Sequence, residues 1–130
     1  MRDYKKEYEE RVAFIRDLLE KSGAKGIVYG NSGGKDSALV GILCKAACDN
    51  TVGIIMPCAS KRNFGQDAED ARIAADQYGI ETRFIDLTPV REAEMQQLSS
   101  LTEVTPAAAV NIAPRLRMTT LYAVAASEGR

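Results

Sequence analysis

The sequence between residues 27 and 37 is Ile27-Val28-Tyr29-Gly30-Asn31-Ser32-Gly33-Gly34-Lys35-Asp36-Ser37. Its first three residues are β-rich and predict a strand, and the apolar spacing after Ser37 predicts a helix. The two adjacent glycines allow backbone conformations that are closed to other residues, and they leave N–H groups unobstructed. These amides and the positive end of the following helix form a cradle for an anion. The segment therefore predicts an anion-binding loop between a strand and a helix.

Helical and strand patterns alternate on both sides of this loop. Apolar residues three and four apart predict helices, and short apolar or β-rich runs predict strands. The predicted helices cover residues 2–21, 39–49, 64–78, 88–98 and 113–127, and the predicted strands cover residues 27–29, 52–56 and 82–87. The run 52–56 is continuously apolar, which is typical of a strand buried on both faces. This order predicts a doubly wound, Rossmann-like α/β sheet of parallel strands, with residues 1–130 in one domain.

The composition indicates a soluble globular domain. The chain has 130 residues, 45% of them hydrophobic, with 17 Lys and Arg residues against 18 Asp and Glu residues. The near-neutral charge argues against a nucleic-acid partner, and no apolar run approaches the roughly 18 residues of a membrane span. The N-terminus is too charged for a secretory signal peptide, and the three cysteines form no Cys-x-x-Cys pair. We therefore expect a cytoplasmic protein with reduced thiols.

The absence of histidine narrows the possible chemistry. It excludes Ser-His-Asp and Cys-His nucleophile systems and histidine-ligated metal sites. Catalysis must then use phosphate-binding backbone, carboxylates, Lys or Arg, or an oxygen-bound metal. Asp36, in the first turn of the predicted helix, could hold a magnesium ion that bridges phosphate oxygens. The hydroxyls of Ser32 and Ser37 can donate hydrogen bonds to the same anion.

Two common glycine-loop motifs do not fit. A Walker A loop needs Gly-Lys-Ser or Gly-Lys-Thr in sequence, and here Asp36 follows Lys35. A dinucleotide fingerprint needs Gly-x-Gly-x-x-Gly and an acidic residue after the second strand, where this chain has residues 54–57, Ile-Ile-Met-Pro. Neither motif explains the loop.

Three separate motifs resemble one group of enzymes. The string Ser-Gly-Gly-x-Asp-Ser at residues 32–37 resembles the pyrophosphate-binding loop of the adenine-nucleotide α-hydrolase-like ATP pyrophosphatases. Residues 111–122 resemble the N-x-x-[AP]-R-x-R-M-x-x-x-Y segment of ammonia-dependent NAD+ synthetase, reading Asn111-Ile112-Ala113-Pro114-Arg115-Leu116-Arg117-Met118-Thr119-Thr120-Leu121-Tyr122. Residues 66–71 resemble the helix after that family's second strand, and the opening helix agrees as well. The resemblance covers essentially the whole chain and corresponds to the N-terminal half of the family's catalytic domain.

The resemblance implies a set of site residues and ligands. ATP would bind at Gly30, Asn31, Ser32, Gly33, Gly34, Lys35, Asp36, Ser37 and Gln66. Asp36 would bind Mg2+ and act in catalysis together with Lys35. Arg115 would contact the substrate deamido-NAD+, usually across a homodimer interface. Since residues two apart on a helix point to different faces, Arg115 and Arg117 have separate roles.

The reaction that the resemblance implies is the amidation of deamido-NAD+ to NAD+. The nicotinate carboxylate attacks the α-phosphorus of ATP, and ammonia then attacks the acyl adenylate, so that AMP and pyrophosphate are released. Loop amides, magnesium and Lys35 would stabilise the charge that develops on the departing pyrophosphate.

Alternatives remain open at this point. The family's next strand, which would lie beside residues 26–29, comes after Arg130, so we expect an unpaired strand edge and impaired turnover from a fragment. A second reading is another adenylating ATP pyrophosphatase, either tRNA-modifying or amide-forming. A third is a non-catalytic nucleotide-binding or dimerisation module.

Overall fold

A computed structural model describes residues 3–33, 35–58 and 68–130, with the backbone alone at Lys35, Asp36 and Ala68. The helices in this part of the chain are α1 (Tyr4–Ser22), α2 (Lys35–Ala47), α3 (Ala68–Gln77), α4 (Thr88–Ser99), α5 (Pro106–Val110) and α6 (Ile112–Glu128). The strands are β1 (Ile27–Gly30), β2 (Thr51–Ile55) and β3 (Glu81–Phe84).

The three strands form one parallel sheet in the order β1-β2-β3. Val28 pairs with Val52, and Ile54 pairs with Arg83. All five residues of the central strand β2 are buried, as its continuous apolar run predicts. Within the described residues, β1 and β3 each have one neighbouring strand. The sheet confirms the predicted parallel α/β fold.

Alternate residues of the strands face opposite layers of helices, because successive side chains of a strand point to opposite faces. On one face, Val52 and Ile54 pack with residues of α6 such as Leu121. On the other face, Tyr29 packs with Ala75 of α3, and Ile55 packs with Ala71. Helices therefore cover both faces of the sheet, as a doubly wound fold requires.

The first helix, α1, is capped at both ends. The Asp3 carboxylate accepts a hydrogen bond from the Lys6 N–H at 3.1 Å, and Gly23 ends the helix with φ of 72°. An acceptor at the N-cap and a left-handed glycine at the end are the expected caps of an α-helix. The predicted helix from residue 2 therefore begins at Tyr4 in the described residues.

Two segments differ from the predictions by more than a shift of a helix or strand end. The regular strand β3 ends at Phe84, although the Ile85 and Leu87 N–H groups still donate to the Ile55 and Pro57 carbonyls, and the Asp86 carboxylate accepts from the Thr88 N–H at 2.9 Å where the chain enters α4. The short helix α5 was not predicted. Its signals are Thr105, whose hydroxyl accepts from the Ala108 N–H at 3.2 Å, and Pro106 in the first turn.

None of the helices in the described residues is both long enough and apolar enough to cross a bilayer.

Candidate functional site

The predicted anion-binding loop leaves the sheet at the carboxyl end of β1. The Asn31 N–H donates to the Ile54 carbonyl at 2.9 Å, so the pairing with β2 continues one residue beyond the strand. Gly33 then adopts φ of 85°, a left-handed conformation that favours glycine. The helix α2 begins at Lys35. The loop therefore lies where parallel α/β sheets bind their ligands.

Two serines form hydrogen bonds with each other across the loop. The Ser32 N–H donates to the Ser37 hydroxyl at 3.3 Å, and the two hydroxyl oxygens lie 2.6 Å apart in a second hydrogen bond. Each hydroxyl has one donor and two acceptor positions. One proton of the pair can therefore be directed to an anion while the other maintains the contact between the serines.

Asn31 is directed into the protein instead of toward solvent. Its side-chain amide nitrogen donates to the Ala71 carbonyl of α3 at 3.1 Å, and its side-chain oxygen accepts from the Gly33 N–H at 3.2 Å. The residue is only 5% exposed. Both polar ends of this side chain therefore bind protein groups.

A cavity of about 350 Å³ adjoins the loop. Its lining is mostly apolar and comes from the loop, the end of β2 and one side of α6. The lining residues are Gly30, Asn31, Ser32, Ile54, Ile55, Met56, Pro57, Pro114, Arg117, Met118 and Leu121. An apolar cavity with a few polar groups at its edge is typical of a small-molecule site.

Arg117 holds one wall of this cavity in place. Its Nε donates to the Met56 carbonyl at 2.9 Å, which ties α6 to the chain just after β2. Arg117, together with Met118 and Met56, was not among the predicted site residues. The spacing of Pro114, Arg117 and Leu121 along one side of a helix was the signal that could have grouped them.

Arg115 lies outside this cavity. It is exposed, and its guanidinium donates to the Asn111 carbonyl within α6 at 3.3 Å. Tyr122, seven residues further along α6 and therefore on the same side of the helix as Arg115, is 74% exposed. The structure therefore separates Arg115 from Arg117 and does not bring Arg115 to the loop.

Cys58 packs beneath the cavity wall. Burial raises the pKa of its thiol, while the positive charges of Arg117 and Arg91 act in the opposite direction. A raised thiol pKa keeps this cysteine protonated at neutral pH, which makes it a poor nucleophile. The described cysteines are all free thiols, as predicted.

Several predicted site residues fall outside the described part of the structure. Gly34 and Gln66 are not described, and only the backbone of Lys35 and Asp36 is described. Among the described side chains, no group of three or more His, Cys, Asp or Glu residues could hold a metal ion. The predicted roles of these four residues stay predictions.

The profile of the protein family described as NAD synthase matches residues 7–130. The chain belongs to the NAD synthase family. Among its relatives, the NH(3)-dependent NAD(+) synthetase of Finegoldia magna is 40% identical over 128 residues, covering 98% of this chain and 51% of the relative. The predicted family resemblance is thereby confirmed.

Two solved structures of synthetases share the fold. The NH3-dependent NAD synthetase from Campylobacter jejuni superposes with a TM-score of 0.84 at 32% identity, covering 98% of this chain and 54% of that one. The NMN synthetase from Francisella tularensis superposes with a TM-score of 0.90 at 29% identity, covering 100% and 53%. The chain therefore spans about half the length of the relatives that it matches.

Proposed function

We propose that this chain binds ATP and activates the nicotinate carboxylate of deamido-NAD+ as the adenylating part of an NAD+ synthetase. The observation that carries this proposal is the glycine loop at the carboxyl end of β1. In this loop the hydroxyls of Ser32 and Ser37 are hydrogen-bonded to each other, and an apolar cavity lies next to it. Membership of the NAD synthase family supports it, because the matched relatives are named NH(3)-dependent NAD(+) synthetases.

The ATP site combines two kinds of surface. The apolar cavity would take the adenine ring, and residues 30–37 would take the phosphates, with Gln66 beside the adenylate. The positive end of α2 and the two serine hydroxyls would supply donors to phosphate oxygens. Lys35, at the first position of α2, adds a positive charge at that helix end.

Asp36 is the residue that we propose to hold Mg2+. A carboxylate oxygen is a preferred ligand of this ion, which is held in proteins by one or two carboxylates together with substrate phosphates and water. When bound, the ion would neutralise charge on the phosphates. The donor chemistry of Asp36 fits this role.

The reaction needs activation because oxide is a very poor leaving group from a carboxylate. Attack of the carboxylate oxygen on the α-phosphorus breaks the bond to pyrophosphate and forms an acyl adenylate. Ammonia then attacks the acyl carbon, AMP leaves, and the amide of NAD+ is formed. The loop donors and Lys35 would stabilise the charge on departing pyrophosphate, which is an electrostatic contribution that needs no histidine.

Arg115 would bind deamido-NAD+ across a homodimer interface. Its exposure supports a role in contacts outside the cavity. Tyr122 adds exposed apolar surface on α6 at 74%, and Met118, at the rim of the cavity, is 66% exposed. Exposed apolar side chains grouped around a cation are typical of an interface. Sedimentation velocity with and without deamido-NAD+ measures the oligomeric state.

We also propose that residues 1–130 act as one domain in the cytoplasm. A contact between distant parts of the chain supports a single unit, because the Lys25 N–H donates to the Gly129 carbonyl at 2.7 Å. This contact joins the start of β1 to the end of α6.

The activity is tested by incubating the chain with ATP–Mg2+, ammonia and deamido-NAD+. We expect NAD+ and AMP in equal amounts, measured by liquid chromatography with mass spectrometry. The Asp36→Ala variant should lose about a hundredfold in rate and most of its ATP–Mg2+ binding heat in calorimetry. Asp17→Ala, which alters an exposed residue of α1, is the matched control. Equal binding heats for wild type and Asp36→Ala would contradict the proposed ATP site.

A second candidate function is NMN synthesis, favoured by the TM-score of 0.90 with the NMN synthetase from Francisella tularensis. The same assay with nicotinate mononucleotide in place of deamido-NAD+ separates the two substrates by the mass of the product. ATP binding without AMP formation from either substrate would instead support a non-catalytic nucleotide-binding module. AMP formation with a tRNA acceptor alone would support a tRNA-modifying pyrophosphatase.

A further inference from the structure

Asn31 joins the phosphate loop to a helix that lies far away in the sequence. Its side-chain nitrogen donates to the Ala71 carbonyl across a sequence separation of 40 residues. Its side-chain oxygen accepts from the Gly33 N–H within the loop. One carboxamide therefore touches both the glycine turn and α3.

Asn31 is a polar residue among buried, mostly apolar side chains. Tyr29, Ala75 and Ile80 are buried beside it and line the same small space. An apolar side chain would suit this position, because a buried polar group is costly unless its hydrogen bonds are made. The two hydrogen bonds are thus the physical reason for an asparagine here.

We propose that Asn31, which also lines the cavity, is a positioning residue: its side chain holds the loop in its phosphate-binding shape and makes its hydrogen bonds to protein groups, not to the phosphates. The bond to Gly33 keeps the turn at φ of 85°. The bond to Ala71 anchors that turn to α3. This inference rests on the proposed ATP site, and it assigns the phosphate contacts to neighbouring residues of the loop.

The expected benefit is a loop that is ordered before the ligand arrives. Ordering a flexible segment at the moment of binding reduces affinity, and preorganisation removes that cost. Loss of Asn31 should therefore weaken the binding of pyrophosphate more than the binding of AMP, because pyrophosphate depends on the loop alone.

The first test measures amide hydrogen exchange in the loop, without any ligand. Amide exchange of Gly33 is followed by NMR in wild type, Asn31→Leu and Asn50→Leu. The control residue Asn50 also donates to a carbonyl, that of Lys25 at 2.9 Å, at the other end of the sheet. We expect Gly33 exchange about tenfold faster in Asn31→Leu alone. Unchanged Gly33 exchange in that variant would overturn the proposal.

A second variant and a second amide distinguish a local change in the loop from misfolding of the whole domain. Asn31→Asp keeps an oxygen that can accept from Gly33 but loses the donor to the Ala71 carbonyl, so Gly33 exchange should lie between the rates of wild type and Asn31→Leu. The Ile85 N–H, which donates to the Ile55 carbonyl at 2.9 Å, reports whether the sheet is intact. Gly33 exchange in Asn31→Asp as fast as in Asn31→Leu, with a protected Ile85, would show that the side-chain oxygen does not hold the turn.

The second test measures binding by calorimetry, with Mg2+–pyrophosphate and AMP as probes. Asn31→Leu should bind pyrophosphate about tenfold more weakly and AMP within about twofold of wild type. An equal loss for both probes would contradict a role confined to the phosphate loop. If wild type binds neither probe, the proposed ATP site fails, and the ligand-free exchange still decides whether Asn31 holds the loop.

Discussion

Tyr29 packs its phenol group between two glycines, Gly41 of α2 and Gly53 of β2. A Cβ atom at Gly41 would lie 2.4 Å from the Tyr29 hydroxyl oxygen, and one at Gly53 would lie 2.9 Å from it. Glycine is unfavourable inside helices and strands, so each needs a local reason. The close approach of a buried aromatic ring supplies that reason at both positions.

The Gly41→Ala variant should therefore be less stable, although alanine favours helices. The gain of about 1 kcal/mol from helix propensity is opposed by overpacking, which costs about 1–3 kcal/mol. We expect a net loss of stability in urea unfolding. The same change in a Tyr29→Phe background should cost less, because the nearest clashing atom is absent. An equal cost in both backgrounds would contradict the packing argument.

At the scale of elements, α1 is fixed to the end of α2 by one side chain. The Arg16 guanidinium donates to the Ala46 carbonyl at 2.9 Å and to the Ala47 carbonyl at 3.3 Å. The last carbonyls of a helix have no partner within the helix, and a cation there also interacts favourably with the helix dipole. Arg16 thus caps a helix that is distant in sequence from its own.

Arg16→Ala should lower the free energy of unfolding by about 1 kcal/mol. Arg16→Lys should restore part of this loss, because it keeps the charge but not the paired donors of the guanidinium. Urea unfolding followed by circular dichroism measures both variants, with Arg11→Ala on the same helix as the control. Equal stability of wild type and Arg16→Ala would show that the cap contributes nothing.

At the scale of the whole molecule, the end of α6 is tied to the far edge of the sheet. Both terminal nitrogens of the Arg83 guanidinium in β3 donate to the Glu128 carboxylate, one of them at 3.0 Å. These hydrogen bonds lower the pKa of Glu128, and they raise the pKa of Arg83 together with those to Glu81. The ion pair joins the end of α6, which also meets the residues before β1, to the edge strand β3.

The Glu128→Gln variant should show how this contact depends on pH. Because the pKa of Glu128 is lower in the folded state, its stabilisation is complete above the ordinary value of 4.5 and is lost as the pH falls through the folded value. The stability difference between wild type and Glu128→Gln should therefore shrink between pH 6 and pH 3. Urea unfolding across this range measures it, and a constant difference would contradict the assignment.

Local signals explain which features were predictable. The left-handed end of α1 at Gly23 and the buried strand β2 each depend on residues close together in the chain. The same holds for the glycine loop, where the serines that meet are five positions apart. The end of β3 was predicted too far along the chain, and the Ile85 and Leu87 N–H groups do still donate to the Ile55 and Pro57 carbonyls beyond the regular strand.

The sequence by itself determined the parallel α/β fold, the position of the glycine loop and the family, since each depends on local spacing and residue type. Only the tertiary structure decided that Asn31 points inward to Ala71 and that Arg117, not Arg115, forms the cavity wall. These contacts join residues 40 and 61 positions apart. Local periodicity carries no information about such pairs, because their geometry is set by how α3 and α6 pack onto opposite faces of the sheet.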